Sequence, residues 1–179
     1  MKYLLIYFLF LNVCYVLGQE NFTPNKITDN QIILDGYLNE EFWSSAAKVP
    51  FDIEFSPANN KPSRIKTFGY ISYSKEFIYV GIDAKVNPKN IRVSVRQRDD
   101  LNMLNDDFIA LRFDTFRDAR NNIVLGVNAL GSQLDVRQIN EISEDKRYDV
   151  SFNINFQSFG NLTEDGYQIE MKIPFSEIE

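Results

Sequence analysis

The order of apolar and polar residues predicts a chain built mainly from β-strands. After residue 65, apolar side chains recur at every second position through most of the sequence, which is typical of strands with one buried face. The predicted strands lie at residues 32–34, 66–74, 77–84, 108–113, 123–129, 134–139, 150–156 and 167–173. Many short strands with turns between them favour an all-β fold, an antiparallel β-sandwich of immunoglobulin-like or jelly-roll-like type.

One short helix is predicted near the N-terminus, ahead of these strands. Asn39 is placed to cap it, Glu40 and Glu41 favour its positive end, and Pro50 stops it. The helix carries an apolar stripe that includes Trp43, the only tryptophan of the chain. A single aromatic residue on the apolar side of a short helix predicts a core position rather than a platform for sugar stacking.

The first residues have the pattern of a secretory signal. Lys2 precedes an apolar run that is shorter than the roughly 20 residues needed to span a bilayer, and the small residue Gly18 ends it. We expect a signal peptide at 1–18, an N-terminal lead at 19–26 and one domain at 27–179. The protein is then exported, to the periplasm, the outer membrane or the exterior.

Charge and composition exclude several classes of function. The net charge of −6 repels phosphate backbones and argues against nucleic acid as a partner. The chain has no histidine, which excludes histidine-based triads and histidine-ligated zinc or haem. Neither haem nor a nucleotide is expected as a cofactor, and metal binding would depend on oxygen ligands.

An acidic, amide-rich loop precedes the predicted strand at 108–113. Its carboxylates include Asp99, Asp106 and Asp107, which supply the hard oxygen ligands that calcium prefers. Their spacing matches no EF-hand. The loop therefore suggests a calcium site at these three aspartates, while a loop that is simply solvated remains open.

A sugar site is the second interpretation of the same region. Pyranose hydroxyls need paired donors and acceptors and a flat apolar surface. The residues that meet these needs are Arg98, Asp99, Asn128, Gln133, Asp135 and Tyr148. The alternative is structural: Arg98 and Asp99 pair with Asp106 and Arg112 and fix the loop to the sheet.

Catalysis is not expected. A glycosidase needs two carboxyl groups at a defined separation, and one of them must have a raised pKa. Asp99 and Asp135 could supply the pair, but aspartates are abundant in the chain and nothing in the sequence marks either one as an acid.

Several motifs, taken in order, resemble family 9 carbohydrate-binding modules. These motifs are the Asp35-Gly36 turn before the helix, the strand at 77–81, the Asp106-Asp107-Phe108 strand entry and the segment at 170–175. A second set resembles the variant of that domain that precedes an outer-membrane β-barrel; its members are Arg98-Asp99, Asp106, Asp118, Asn128, Gly131, Gln133 and Asp135. The likeness runs from about Ile27 to the end of the chain.

The resemblance implies a β-sandwich that binds oligosaccharide or polysaccharide without catalysis, often with structural calcium, in carbohydrate catabolism. Two alternatives remain open: an accessory domain of an outer-membrane barrel that binds no sugar, and a part of a glycoside hydrolase. Tyr148 stands where the barrel-linked variant usually has a tryptophan. Family members continue into a further strand after the position of Glu179, so we expect the domain to be incomplete at its C-terminus.

Overall fold

Short β-strands and one short helix make up the structure, a computed structural model that describes residues 22–28, 32–139, 143 and 147–178. The helix α1 spans Glu41–Ser45. The strands are β1 Asn25–Lys26, β2 Ala47–Pro50, β3 Ile53–Glu54, β4 Lys61–Pro62, β5 Lys66–Tyr73, β6 Phe77–Lys85, β7 Phe108–Phe113, β8 Asn121–Asn128, β9 Gln133–Ile139, β10 Tyr148–Asp149, β11 Gln157–Thr163 and β12 Gly166–Pro174. The predicted signal peptide lies outside the described residues.

Two main sheets form the sandwich. The larger sheet has the strand order β1-β5-β6-β12-β11, with β2 also paired to β5, and the smaller has the order β10-β9-β8-β7. Pairing is antiparallel throughout both sheets, apart from the parallel contact of β1 with β5. The predicted all-β sandwich is therefore confirmed.

The main core lies between the two sheets. Alternate residues of the central strands face inward, among them Ile82 on β6, Ile169 and Met171 on β12, and Leu125 and Val127 on β8. All five are fully buried. The two-residue period of the sequence thus predicted the inner faces of these strands correctly.

A second, smaller core lies on the outer face of the larger sheet. Trp43 and Phe42 of α1 pack there with Tyr79 of β6. Gly81 makes room for them, because a Cβ at this position would lie 2.7 Å from Leu38 and 3.1 Å from the Trp43 ring. The prediction that Trp43 is a core residue is confirmed.

Four local predictions are wrong. Residues 32–34 form no strand. The helix ends at Ser45 and is not stopped by Pro50, which lies in β2. The helix is preceded by Glu40, which makes no side-chain capping bond, so Asn39 is not the cap. Residues 150–156 also form no strand, although Ile154 and Phe156 are buried in the core. The alternating pattern in that segment reflects burial without strand pairing. Strand β11 begins immediately after it.

Candidate functional site

Arg98 connects the acidic loop to β9 and to the segment that leads into β11. Its guanidinium donates hydrogen bonds to the side chains of Gln133 and Asp135 and to the carbonyl of Ile154. Asp135 is fully buried and also accepts the Ile154 N–H at 2.6 Å. Gln133 donates to the Phe156 carbonyl at 3.0 Å. Side chains thus provide the backbone partners that a strand ladder would otherwise give this segment.

Burial dominates the electrostatics of Asp135. It raises the pKa of the carboxyl, whereas the Ile154 N–H and the Arg98 guanidinium oppose that rise. The neighbouring carboxylate of Asp99 raises the pKa further. The Arg98 guanidinium thus offsets part of the cost of burying this carboxyl.

Asp99 takes the place of a strand partner at the edge of β9. Its N–H donates to the Gln133 carbonyl at 3.0 Å, and its carboxylate accepts the Asp135 N–H at 3.2 Å. The backbone of Asp99 is left-handed, with φ of 61°, which allows both bonds from one residue. These contacts cover an edge that would otherwise expose unpaired backbone groups.

A second ion pair fixes the start of the same loop. Arg96 donates to both carboxylate oxygens of Asp106, at 2.9 and 3.1 Å. Asn128 donates to Asp106 at 3.0 Å and to the Ser94 carbonyl at 2.9 Å. The Arg96 guanidinium, with help from Asn128, lowers the pKa of Asp106 to about 2.

The predicted sugar-binding residues thus fall into three places. Arg98, Asp99, Gln133 and Asp135 lie together. Asn128 is fully buried on the opposite face of the smaller sheet, where its carbonyl oxygen accepts the N–H groups of Leu130 and Ser132. Tyr148 lies on β10, apart from both groups.

The three predicted calcium ligands do not form a common donor set. Asp106 is paired with Arg96, Asp99 accepts the Asp135 N–H, and the Asp107 carboxylate accepts the Arg92 N–H at 2.7 Å. Within the described residues, no three acidic or sulfur side chains converge as a metal ion requires. This arrangement fits an arginine-anchored loop better than a cation, and calcium binding stays a prediction.

An open groove crosses the outer face of the smaller sheet, with a volume of about 680 Å³. Its floor is apolar and comes from alternate positions of three strands: Phe108 and Ala110 on β7, Val124 and Gly126 on β8, and Leu134 and Val136 on β9. The fully buried Met103 side chain packs against this floor, and Gly126 makes room for it, since a Cβ there would lie 3.0 Å from Met103. We call this feature the outer groove.

Exposed apolar side chains form the walls of the outer groove. Leu101 and Leu104 are 50% and 56% exposed and belong to the 3-10 turn Leu101–Asn105 of the acidic loop. Tyr148 and Val150 stand on the other side, with Tyr148 53% exposed. Large apolar side chains left in solvent around one concavity are typical of a binding surface.

Arg112 is the one charged side chain that lines the outer groove. It is exposed, and it makes no hydrogen bond or ion pair with any residue that the structure describes. This differs from the prediction that Arg112 helps to pin the loop, a role taken by Arg96 with Asp106 and by Arg98 with Asp135.

Sequence reasoning missed Leu101, Leu104 and the apolar floor as site residues. The signal was present in the pattern: Phe108, Ala110, Val124 and Val136 alternate with core residues, so both faces of these strands are apolar. A sheet that is apolar on both faces either carries a cover or binds something.

No helix in the described ranges is long and apolar enough to cross a membrane.

Comparison with known proteins identifies the fold. No protein-family model and no curated protein matches the sequence. A family 9 carbohydrate-binding module from Caldicellulosiruptor kristjanssonii in complex with glucose is similar in structure, with a TM-score of 0.56 and 13% sequence identity over 86% of this chain and 70% of that chain. The same module in complex with cellotriose gives a TM-score of 0.56 and 13% identity over 87% and 69% of the two chains.

A third similar structure is a Bacteroides uniformis protein to which carbohydrate binding has been provisionally attributed. It has a TM-score of 0.52 and 14% identity, over 75% of this chain and 63% of that chain. At these identities the likeness is one of fold: the chain has the β-sandwich architecture seen in family 9 carbohydrate-binding modules.

Proposed function

We propose that the protein is a non-catalytic carbohydrate-binding domain and that the outer groove is its sugar site. The observation that carries this proposal is the likeness in fold to modules that hold glucose and cellotriose. A solvent-exposed tyrosine ring beside an open concavity in the same fold supports it. No reacting group is assigned, because the acidic residues near the groove pair with arginines or backbone N–H groups.

Tyr148 is the proposed sugar platform. The C–H face of a pyranose ring packs on aromatic and aliphatic surfaces, and the groove offers both. Its volume of about 680 Å³ is within the usual range for small-ligand sites, and its floor is formed by paired strands and is therefore rigid.

The polar cluster around Arg98 supports the site indirectly. Arg96 and Arg98 anchor the acidic loop at two points, and that loop carries Leu101 and Leu104, which form one wall of the groove. We assign Arg98, Asp99, Gln133 and Asp135 the task of positioning this wall. Direct contact of these side chains with sugar would require them to give up bonds that they make with each other.

The test measures sugar binding by isothermal titration calorimetry with a panel of neutral and acidic oligosaccharides, cellotriose among them. Tyr148→Ala should weaken binding about ten-fold, because an aromatic contact and its buried area are lost. Tyr37→Ala is the matched control, since Tyr37 is 43% exposed and lies outside the groove. Absence of binding to the whole panel, or equal affinity in wild type and Tyr148→Ala, contradicts the proposed site.

We also propose that the domain acts after export and in carbohydrate catabolism, as the N-terminal pattern and the fold suggest. If no glycan binds, an accessory role beside an outer-membrane barrel becomes the better hypothesis. Turnover of an aryl glycoside by the purified protein, abolished in Asp135→Asn, would instead favour a hydrolase.

Calcium at Asp99, Asp106 and Asp107 has its own test. If the ion binds there, added calcium raises the thermal midpoint of unfolding and EGTA lowers it. An unchanged midpoint in both conditions removes calcium from the proposal.

A further inference from the structure

The chemistry of the outer groove specifies the kind of carbohydrate it takes. Neutral sugar hydroxyls are both donors and acceptors, so sites for neutral sugars need acceptor side chains as well as donors. The lining of the outer groove contains no carboxylate and no amide side chain among the described residues. Its polar side-chain groups are the Tyr148 hydroxyl, which donates and accepts, and the Arg112 guanidinium, which has five N–H donors and no acceptor.

Arg112 also differs from the other arginines of this region. Arg96 is paired with Asp106, and Arg98 with Asp135. Arg112 is exposed at the groove and has no partner among the described residues. The fork of a guanidinium matches the two oxygens of a carboxylate, so Arg112 offers an open bidentate site above an apolar floor.

We propose that the outer groove binds acidic glycans, with Arg112 pairing with the carboxylate of a uronic acid residue whose ring lies on the apolar floor. This inference rests on the proposed function and names its ligand class. The net charge of −6 opposes the approach of any anion. A preference for an acidic glycan must therefore arise locally, from Arg112.

The binding test compares each acidic sugar with its own uncharged form. Trisaccharides of galacturonate and of mannuronate are titrated into the full chain beside their methyl esters, in which the sugar and linkage are unchanged and the charge is removed. At least one acid should bind about ten-fold more tightly than its ester, the effect expected for one charge-assisted bidentate contact.

Variants assign that preference to one residue. Arg112→Gln should remove the preference and bring the acid and its ester to equal affinity. Lys66→Gln is the charge-matched control, since Lys66 is exposed at the start of β5 in the other sheet, and it should keep the full preference. Circular dichroism of both variants verifies that the fold is intact.

The outcomes distinguish failure of the acidic-glycan inference from failure of carbohydrate binding as a whole. Equal binding of acid and ester by the wild type, or a preference that persists in Arg112→Gln, overturns the acidic-glycan inference while carbohydrate binding stands. Binding of cellotriose as tight as that of the acids overturns it in the same way. If neither acids, esters nor cellotriose bind, the proposed function and this inference fail together.

Discussion

The outer faces of the two sheets are similar in their apolar residues but differ in how far other parts of the chain cover them. Both carry apolar side chains, and both use a glycine to make space, Gly81 on the larger sheet and Gly126 on the smaller. The helix and Trp43 cover the outer face of the larger sheet, whereas on the smaller sheet Met103 covers only part of the apolar face and leaves a groove beside it.

The two faces also use charge differently. On the covered face, Glu170 of β12 is fully buried and accepts hydrogen bonds from the Asp35 and Gly36 N–H groups at 2.9 Å and from the Trp43 indole at 3.0 Å. On the open face, Arg112 stays in solvent. The carboxyl that holds the cover in place is enclosed by N–H donors, whereas the Arg112 guanidinium is exposed.

Removal of the Trp43 side chain, which covers the larger sheet, should give the largest loss of stability. Trp43→Ala should lower the free energy of unfolding by about 4 kcal/mol, since a fully packed indole leaves a cavity over Gly81. Urea denaturation followed by circular dichroism measures it, with Phe116→Ala, an exposed aromatic, as the control. A loss below about 1 kcal/mol, the size typical of a surface change, would contradict the assignment of Trp43 to a core.

Glu170 should make the covered face sensitive to pH. Burial raises the pKa of its carboxyl from 4.5 to about 7, with the three N–H donors opposing the rise and Glu40 adding to it. Because the pKa is higher in the folded state, this contribution to stability is complete below pH 4.5 and is lost as the pH rises through 7. The loss between about pH 5 and about pH 8 should be on the order of 3 kcal/mol.

Unfolding curves of wild type and Glu170→Gln across this pH range provide the measurement. The variant carries a constant cost, because its amide cannot accept all three N–H groups. Its stability should depend less on pH than that of the wild type, and identical pH profiles for the two proteins would refute the role of Glu170.

Arg98 fixes the acidic loop to β9 and to the segment before β11, and its loss should have an intermediate effect on stability. Arg98→Ala should cost about 2 kcal/mol, less than for a fully enclosed ion pair because 35% of the Arg98 side chain is exposed. Adding Asp135→Asn should restore part of that loss, since a buried amide costs less than an unpaired carboxylate. Strictly additive losses in a double-mutant cycle would mean that the two side chains do not interact.

The smallest effect on stability is expected on the open face. Leu104→Asn should change the free energy of unfolding by less than about 0.5 kcal/mol, because Leu104 is more than half exposed. Sugar affinity should still fall several-fold, as one wall of the groove becomes polar. A variant that loses stability but keeps its affinity would place Leu104 in a structural role.

Sequence reasoning predicted most of the strand framework. The hairpin of β5 and β6 and the strands β7, β8 and β12 followed from the two-residue period, because each has a face in the main core. Strand β9 followed from the same period, but its apolar residues Leu134 and Val136 pack with Met103 in a separate cluster. The segment at 150–156 was wrongly predicted as a strand. Its backbone carbonyls bond the side chains of Arg98 and Gln133 instead of a neighbouring strand, and the apolar pattern of the segment does not show this difference. Pairing of that kind depends on contacts far apart in sequence.

The polar candidates show the same limit. Of the six predicted sugar-binding residues, Arg98, Asp99, Gln133 and Asp135 lie together, whereas Asn128 and Tyr148 lie elsewhere. A sequence pattern also does not reveal whether polar atoms face a ligand or one another. The groove went unnoticed for the opposite reason: its floor consists of ordinary strand residues. Leu134 and Val136 of this floor are buried against Met103 of the acidic loop, a contact that the strand pattern does not reveal.

The bonds from Glu170 to Asp35 and Gly36 join positions 135 and 134 residues apart, so the cover gains this anchor only after β12 has been synthesised and has joined β6. We therefore expect the N-terminal segment to dock late in folding, because a chain that stops before Gly166 leaves Trp43 without its carboxyl acceptor. Because the protein contains a single tryptophan, its fluorescence reports on this one event. In stopped-flow refolding, a change in tryptophan fluorescence that lags behind the far-ultraviolet circular dichroism of the sheets would show when the N-terminal segment docks.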